Sequence, residues 1–184
     1  MKTLNKYILE KFHITKDSKY TNPNIIDSLD DLVKMYHMTM TNNASTSATK
    51  RYQLLKTEPI SDSPICVELI YNNNVSAKGK FEKSINDWFK ENFSNDYSFD
   101  PIINIIIPNK ASSLYGSVKI QLTCEVPKKR EVYTSVLSII IKKDHHIFIE
   151  YECAPVLHDE FKIMKLETIT ASMLNYIANY VIEK

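Results

Sequence analysis

The stretch that most limits what this chain can become lies between Ser117 and Glu152. In SVKIQLTCEV the residues Val118, Ile120, Leu122, Cys124 and Val126 alternate with Ser117, Lys119, Gln121, Thr123 and Glu125. Side chains of a strand point to opposite faces in turn, so this period of two predicts a β-strand with one buried face. PKKR (127–130) turns the chain, EVYTSVLSIII returns it, KKDH turns it again, and HIFIEYE supplies a third strand. Three strands in series joined by tight turns make an antiparallel meander.

The second hairpin is apolar on both sides. With its turn centred on Lys143 and Asp144, Ile141 faces His146, Ile139 faces Phe148 and Leu137 faces Glu150. Val136, Ile140, Ile147, Ile149 and Tyr151 then share the opposite side. Water lies poorly on a broad apolar surface, so helices or another subunit are expected over both sides. Leu137, Ile139, Ile141 and Phe148 are accordingly candidate interaction residues.

Around the meander, apolar spacing places the remaining elements. Leu4, Tyr7, Ile8 and Phe12 form a narrow stripe on a short helix over 3–12. A helix of that length is marginal alone and needs a docking surface, which makes these four residues interaction candidates as well. Ser28 and Asp31 resemble a capping box opening a helix over 28–38, with Leu29, Leu32, Val33 and Tyr36 on its buried side. TMTNNASTSATK (39–50) has hardly any apolar residue and reads as a flexible loop. Residues 51–57 and 65–71 read as strands, NNNVSAKGK as a loop, and 81–93 as a helix burying Phe81, Ile85, Trp88 and Phe89. IINIII (102–107), between Pro101 and Pro108, reads as a central apolar strand. The segment from 160 to 183 reads as the longest helix, with Leu166, Ile169, Met173, Ile177 and Tyr180 in one stripe and FKIM (161–164) as an alternative edge strand. The fold class is therefore α+β: an antiparallel β-meander of about five to six strands, packed with a long C-terminal helix and two or three shorter ones. Residues 1–24 form an N-terminal helix and extended segment, and 25–184 a single domain.

Composition weighs against several functions. Lys and Arg number 23 against 22 Asp and Glu, so the basic excess of a protein that grips a nucleic-acid backbone is missing. No apolar run reaches the roughly 20 residues that span a bilayer, and the N-terminus carries neither a secretory signal nor an anchor. Cys66, Cys124 and Cys153 lack CxxC spacing and are odd in number, which indicates reduced thiols and a cytoplasmic setting. With two glycines, Gly79 and Gly116, no phosphate-binding loop can be built.

Candidate chemistry is sparse. His146, Glu150 and Glu152 project to one side of a strand, a set that ligates a metal or shares a proton in a small hydrolase or nuclease. Same-face neighbours along a strand lie about 6.6 Å apart, so His146 and Glu150, two such steps apart, share an ion only with additional ligands. None is identifiable, so a solvated strand end beside a turn is the favoured reading of the cluster. His158, Asp159 and Glu160 suit the start of a helix. Cys124 falls on a buried strand face and Cys66 within an apolar strand, while Cys153, at a strand end, is the least buried by pattern. Lys128, Lys129 and Arg130 suit a solvated turn, and Trp88, Phe89 and Phe93 suit core packing. No catalytic residue, metal site or cofactor is assigned.

The opening MKTLNKYILEKFHITKDSKY, through Leu4, Ile8, Glu10, Lys11, Phe12, Ile14, Lys16 and Asp17, resembles the start of uncharacterised small proteins of gut anaerobes and their bacteriophages. Phe12 stands where Leu is commoner. The resemblance implies no activity; it implies a docking or sorting peptide shared by otherwise unrelated domains. The expected role is a non-enzymatic interaction or structural accessory protein, phage-encoded or virion-associated, with a protein partner or a second copy of itself.

Overall fold

A computed structural model describes residues 25–44, 49–56, 62–93, 101–128, 130–153 and 166–182. Leu4, Tyr7, Ile8, Phe12, the His158–Glu160 triplet and FKIM lie outside the described residues. Six strands form one antiparallel sheet: β1 (Met38–Ala44), β2 (Thr49–Lys56), β3 (Ile102–Ile106), β4 (Ser117–Lys128), β5 (Glu131–Lys142) and β6 (His146–Cys153). Their spatial order is β1-β2-β6-β5-β4-β3. Among the described residues four helices accompany them: α1 (Leu29–Met35), α2 (Pro64–Asn72), α3 (Val75–Phe93) and α4 (Leu166–Asn179). The architecture is α+β, with the meander β4-β5-β6 at its centre as the alternation requires.

The buried residues of these four helices join those of one sheet face in a single core. Rows of facing residues run across that face, such as Ile105–Ile120–Ile139–Ile149 and Val118–Ile141–Ile147–Leu54. Every residue in these two rows is buried. Burying one such side chain contributes about 1.5–3 kcal/mol before the entropy of ordering it is subtracted.

The hairpin between β5 and β6 differs from expectation by one residue. Ile141 faces Ile147, Ile139 faces Ile149 and Leu137 faces Tyr151. The cause is the turn. The N–H of His145 donates to the Lys142 carbonyl at 3.1 Å, and His145 takes the left-handed conformation, φ 73°. That is a three-residue loop, 143–145, in place of a two-residue one. One residue of register moves every side chain of a strand to the other face. So Leu137, Ile139 and Ile141 join Ile147, Ile149 and Tyr151 in the core, and only Phe148 of the four sheet candidates stays on the opposite face. No described helix covers that second face.

Other elements depart from expectation for local reasons. ICVELIY is helix α2, not a strand: Pro64 occupies the first turn, where a missing N–H costs nothing, and Ile65, Cys66 and Leu69 share a buried side. Much of the expected loop 39–50 is strand, since β1 and the start of β2 pair from Met38↔Lys56 to Ala44↔Lys50. The helix expected over 81–93 begins at Val75, because Asn74 caps it: its Oδ1 accepts from Ala77 N–H at 3.0 Å and its carbonyl from Lys78 N–H at 2.9 Å. At 19 residues α3, not the 14-residue α4, is the longest helix described. β3 lies at the sheet edge and not at its centre.

Ser28 caps α1: its Oγ accepts from Asp31 N–H at 3.2 Å and donates to Asp31 Oδ2 at 3.0 Å. α4 is buried on every side through its middle, including Thr170, Ser172 and Asn175. Each of these polar side chains is matched. Ser172 Oγ accepts from Ile26 N–H at 3.0 Å, Asn175 Oδ1 accepts from the Tyr36 hydroxyl at 3.0 Å, and Thr170 hydrogen-bonds the Tyr151 hydroxyl. Among the described residues no helix is long and apolar enough to cross a membrane.

Candidate interaction surface

The helix-free face of the sheet is built by the alternate residues of every strand. Its central row reads Ile106–Lys119–Ile140–Phe148–Gln53–Thr41. A second row beside it reads Asn104–Gln121–Ser138–Glu150–Arg51. Thus a short apolar centre, Ile140 with Phe148, lies inside a ring of amides, hydroxyls and paired charges. Ile140 is 5% exposed. Phe148 is half-buried. The ammonium of Lys142 sits 5.0 Å from the centroid of the Phe148 ring, a cation–π distance, and the His146 ring lies nearly parallel to that ring at 6.5 Å. Towards the rims of this face Leu55 and Ile102 are exposed at 45% and 56%.

The polar cluster expected at His146, Glu150 and Glu152 does share this one face, but its members are engaged separately. His146 Nδ1 lies 3.1 Å from Asp144 Oδ1, and its backbone N–H donates to the same oxygen at 3.2 Å. Partial burial raises the affinity of Asp144 for its proton; the backbone and side chain of His146, together with Lys142, outweigh that and hold the carboxyl below its ordinary value. Glu150 pairs with Arg51 Nε at 2.9 Å. Glu152 is exposed at the far end of β6. Among the described residues no group of three or more His, Cys, Asp or Glu is placed to hold a metal ion.

Of the other candidates, Cys66, Cys124 and Cys153 are all buried thiols. Burial pushes Cys66 and Cys124 up to about 12, so neither is a thiolate at neutral pH. Trp88, Phe89 and Phe93 pack on one another inside the core, with centroids 5.0 to 6.4 Å apart. Arg130, at the β4–β5 turn, is exposed.

A cavity of about 620 Å³ opens between α3 and the end of α4. Trp88 and Tyr176 stack at 4.7 Å in its wall, and the hydroxyls of Tyr176 and Ser84 are 2.5 Å apart. Burial raises the Tyr176 phenol above its ordinary value; the Ser84 contact opposes this, while Tyr180, Asp87 and Glu91 add to it. Lys83 is committed to Asp87 at 2.7 Å.

Sequence reasoning missed Ile140, Lys142 and Arg51 as parts of this surface. The signal was present in strand parity, but it becomes readable only once the loop length is known. No family model, curated protein or solved structure matches this chain.

Proposed function

We propose that this chain is a non-enzymatic interaction protein that docks on a folded protein partner through the helix-free face of its sheet. One observation carries the reading: an apolar centre, Ile140 and Phe148, surrounded by Gln53, Gln121, Ser138, Lys119 and the Arg51–Glu150 pair. An apolar core inside a polar rim is the arrangement of a protein–protein interface. The charges on this face are mixed in sign, which suits a protein partner better than the uniformly negative backbone of a nucleic acid. The N-terminal stripe of Leu4, Tyr7, Ile8 and Phe12 is the second docking element of this reading. The likeness of the opening residues to those of phage and gut-anaerobe proteins supports a cytoplasmic or virion-associated setting.

The test is co-purification of the tagged full chain from its native source, wild type beside Phe148→Asp. Phe148 lies outside the core, so the variant is expected to keep its far-UV spectrum and to lose the co-purifying protein by at least tenfold. Recovery of the same protein by both forms, at equal yield, rejects the docking face.

A further inference from the structure

The two edges of the sheet are not alike. At the β3 edge, α3 takes the place of a further strand. Asn86 Oδ1 accepts from Ile103 N–H at 3.0 Å, and Asn86 Nδ2 donates to the Ile103 carbonyl at 2.8 Å. One turn away, Glu82 Oε2 accepts from Ile105 N–H at 2.8 Å. The match has a simple geometric basis. Four residues of helix rise about 6.0 Å and two residues of strand about 6.6 Å, so side chains at i and i+4 of α3 reach alternate residues of β3. Ile103 is satisfied on its free side as though a partner strand were there.

At the other edge no described residue covers β1 in this way. Its register with β2 is continuous from Met38 to Ala44, without a bulge. Among the described residues no hydrogen bond leaves β1 for anything but β2. Natural edge strands are blunted by charges, proline or bulges, or are covered. MTMTNNA has no charge and no proline.

We propose that two copies of this chain pair through β1, antiparallel about a two-fold axis, so that both sheets become one. A two-fold axis sets a strand against its own sequence, and any charged residue near the axis meets its like. The absence of charge from Met38 to Ala44 is therefore the feature that selects a second copy as the occupant. Thr39 and Thr41, exposed on the helix-free face, supply cross-strand threonine pairs. Met38 and Met40, on the helix-covered face, extend the apolar layer across the seam. This pairing uses the rim of the sheet and stands independently of the docking face around Phe148.

The experiment is sedimentation equilibrium of the full chain across a concentration series, with three variants. The wild type is expected at twice the chain mass. Thr39→Lys with Thr41→Lys sets like charges across the seam and is expected to give single chains with an unchanged far-UV spectrum. Thr39→Glu with Thr41→Glu is expected to behave the same way alone. An equimolar mixture of the two is expected to regain the doubled mass. Phe148→Asp is expected to remain paired. A second measurement needs no variant: amide exchange over residues 38–44 should quicken at least tenfold on dilution from the paired to the single state. A wild type that stays single at all concentrations overturns the proposal. So does a Lys variant that folds and stays paired, a mixture that does not recombine, dissociation by Phe148→Asp, or exchange in β1 that is indifferent to dilution.

Discussion

Cys66 and Cys124 show how much a single position reveals when its environment is known. Both thiols are neutral because burial denies the thiolate its solvation, and both rise to about 12. In the unfolded chain a thiol titrates near 9.0. Between these values the unfolded state releases protons that the folded state keeps, so stability is full below pH 9 and falls as pH rises above it. Chemical denaturation from pH 8 to 10.5 should show that decline, reduced in Cys66→Ala with Cys124→Ala relative to that variant's own value at pH 8. In the native state both thiols should resist a soluble disulfide reagent. Asp144 works in the opposite sense. Its folded value is lowered, so its contribution is present above the ordinary 3.8 and is lost as pH falls through and below that value. The group is well exposed, so Asp144→Ala is expected to cost no more than about 0.5–1 kcal/mol, measured by urea unfolding at pH 7. The buried place of Cys124 was legible from alternation alone. That of Cys66 was legible as buried but was assigned to the wrong element. β-Branched and aromatic residues in ICVELIY weigh towards a strand, and Pro64 at the helix start weighs more.

Elements were readable where apolar periodicity was long and unreadable where turn chemistry decided. Three strands of the meander, the capped helix at Leu29 and the helix carrying Phe81 to Phe89 follow directly from spacing. The hairpin register does not, because a histidine in the left-handed region is not announced by its type. His145→Gly relieves that conformation and is expected to raise stability by about 0.5–1 kcal/mol in thermal or urea unfolding. Deleting His145 shortens the loop by one residue and should abolish cooperative unfolding, since Leu137, Ile139 and Ile141 would face away from the helices. β1 was hidden for a different reason. A strand of Thr, Asn and Met has the composition of a loop, and only its pairing with Tyr52 and Leu54 on β2 makes it a strand. At the opposite edge the α3–β3 clamp makes a sharper prediction. Asn86→Ala leaves the free N–H and carbonyl of Ile103 without partners, at an expected cost of about 1–3 kcal/mol. Light scattering on heating should show earlier aggregation of this variant than of the wild type. Equal stability and equal scattering would show that the clamp is ornamental.

At the scale of the molecule, the buried residues of the described helices join one face of the sheet in a single core, and no described helix covers the other face, the one proposed above for docking. The core includes Ile26 near one end of the described chain and Ile177 near the other, joined where Ser172 holds the backbone of Ile26. Deleting residues 1–20 is therefore expected to leave a folded domain whose melting temperature falls by no more than a few degrees in a thermal scan. The overall layering was legible because hydrophobic alternation fixes which face of a strand is dry. Which residues remain for a partner was not, since that depends on a loop one residue longer than the composition suggests.

The clamp of Asn86 and Glu82 also limits how the sheet can extend edge to edge. A flat ribbon with two sticky rims recruits neighbours without limit and ends as a fibre. Here one rim is occupied by the molecule's own side chains, which leaves at most one rim per chain for edge-to-edge pairing. The pairing proposed through β1 would use that rim, so edge-to-edge growth would stop at two chains.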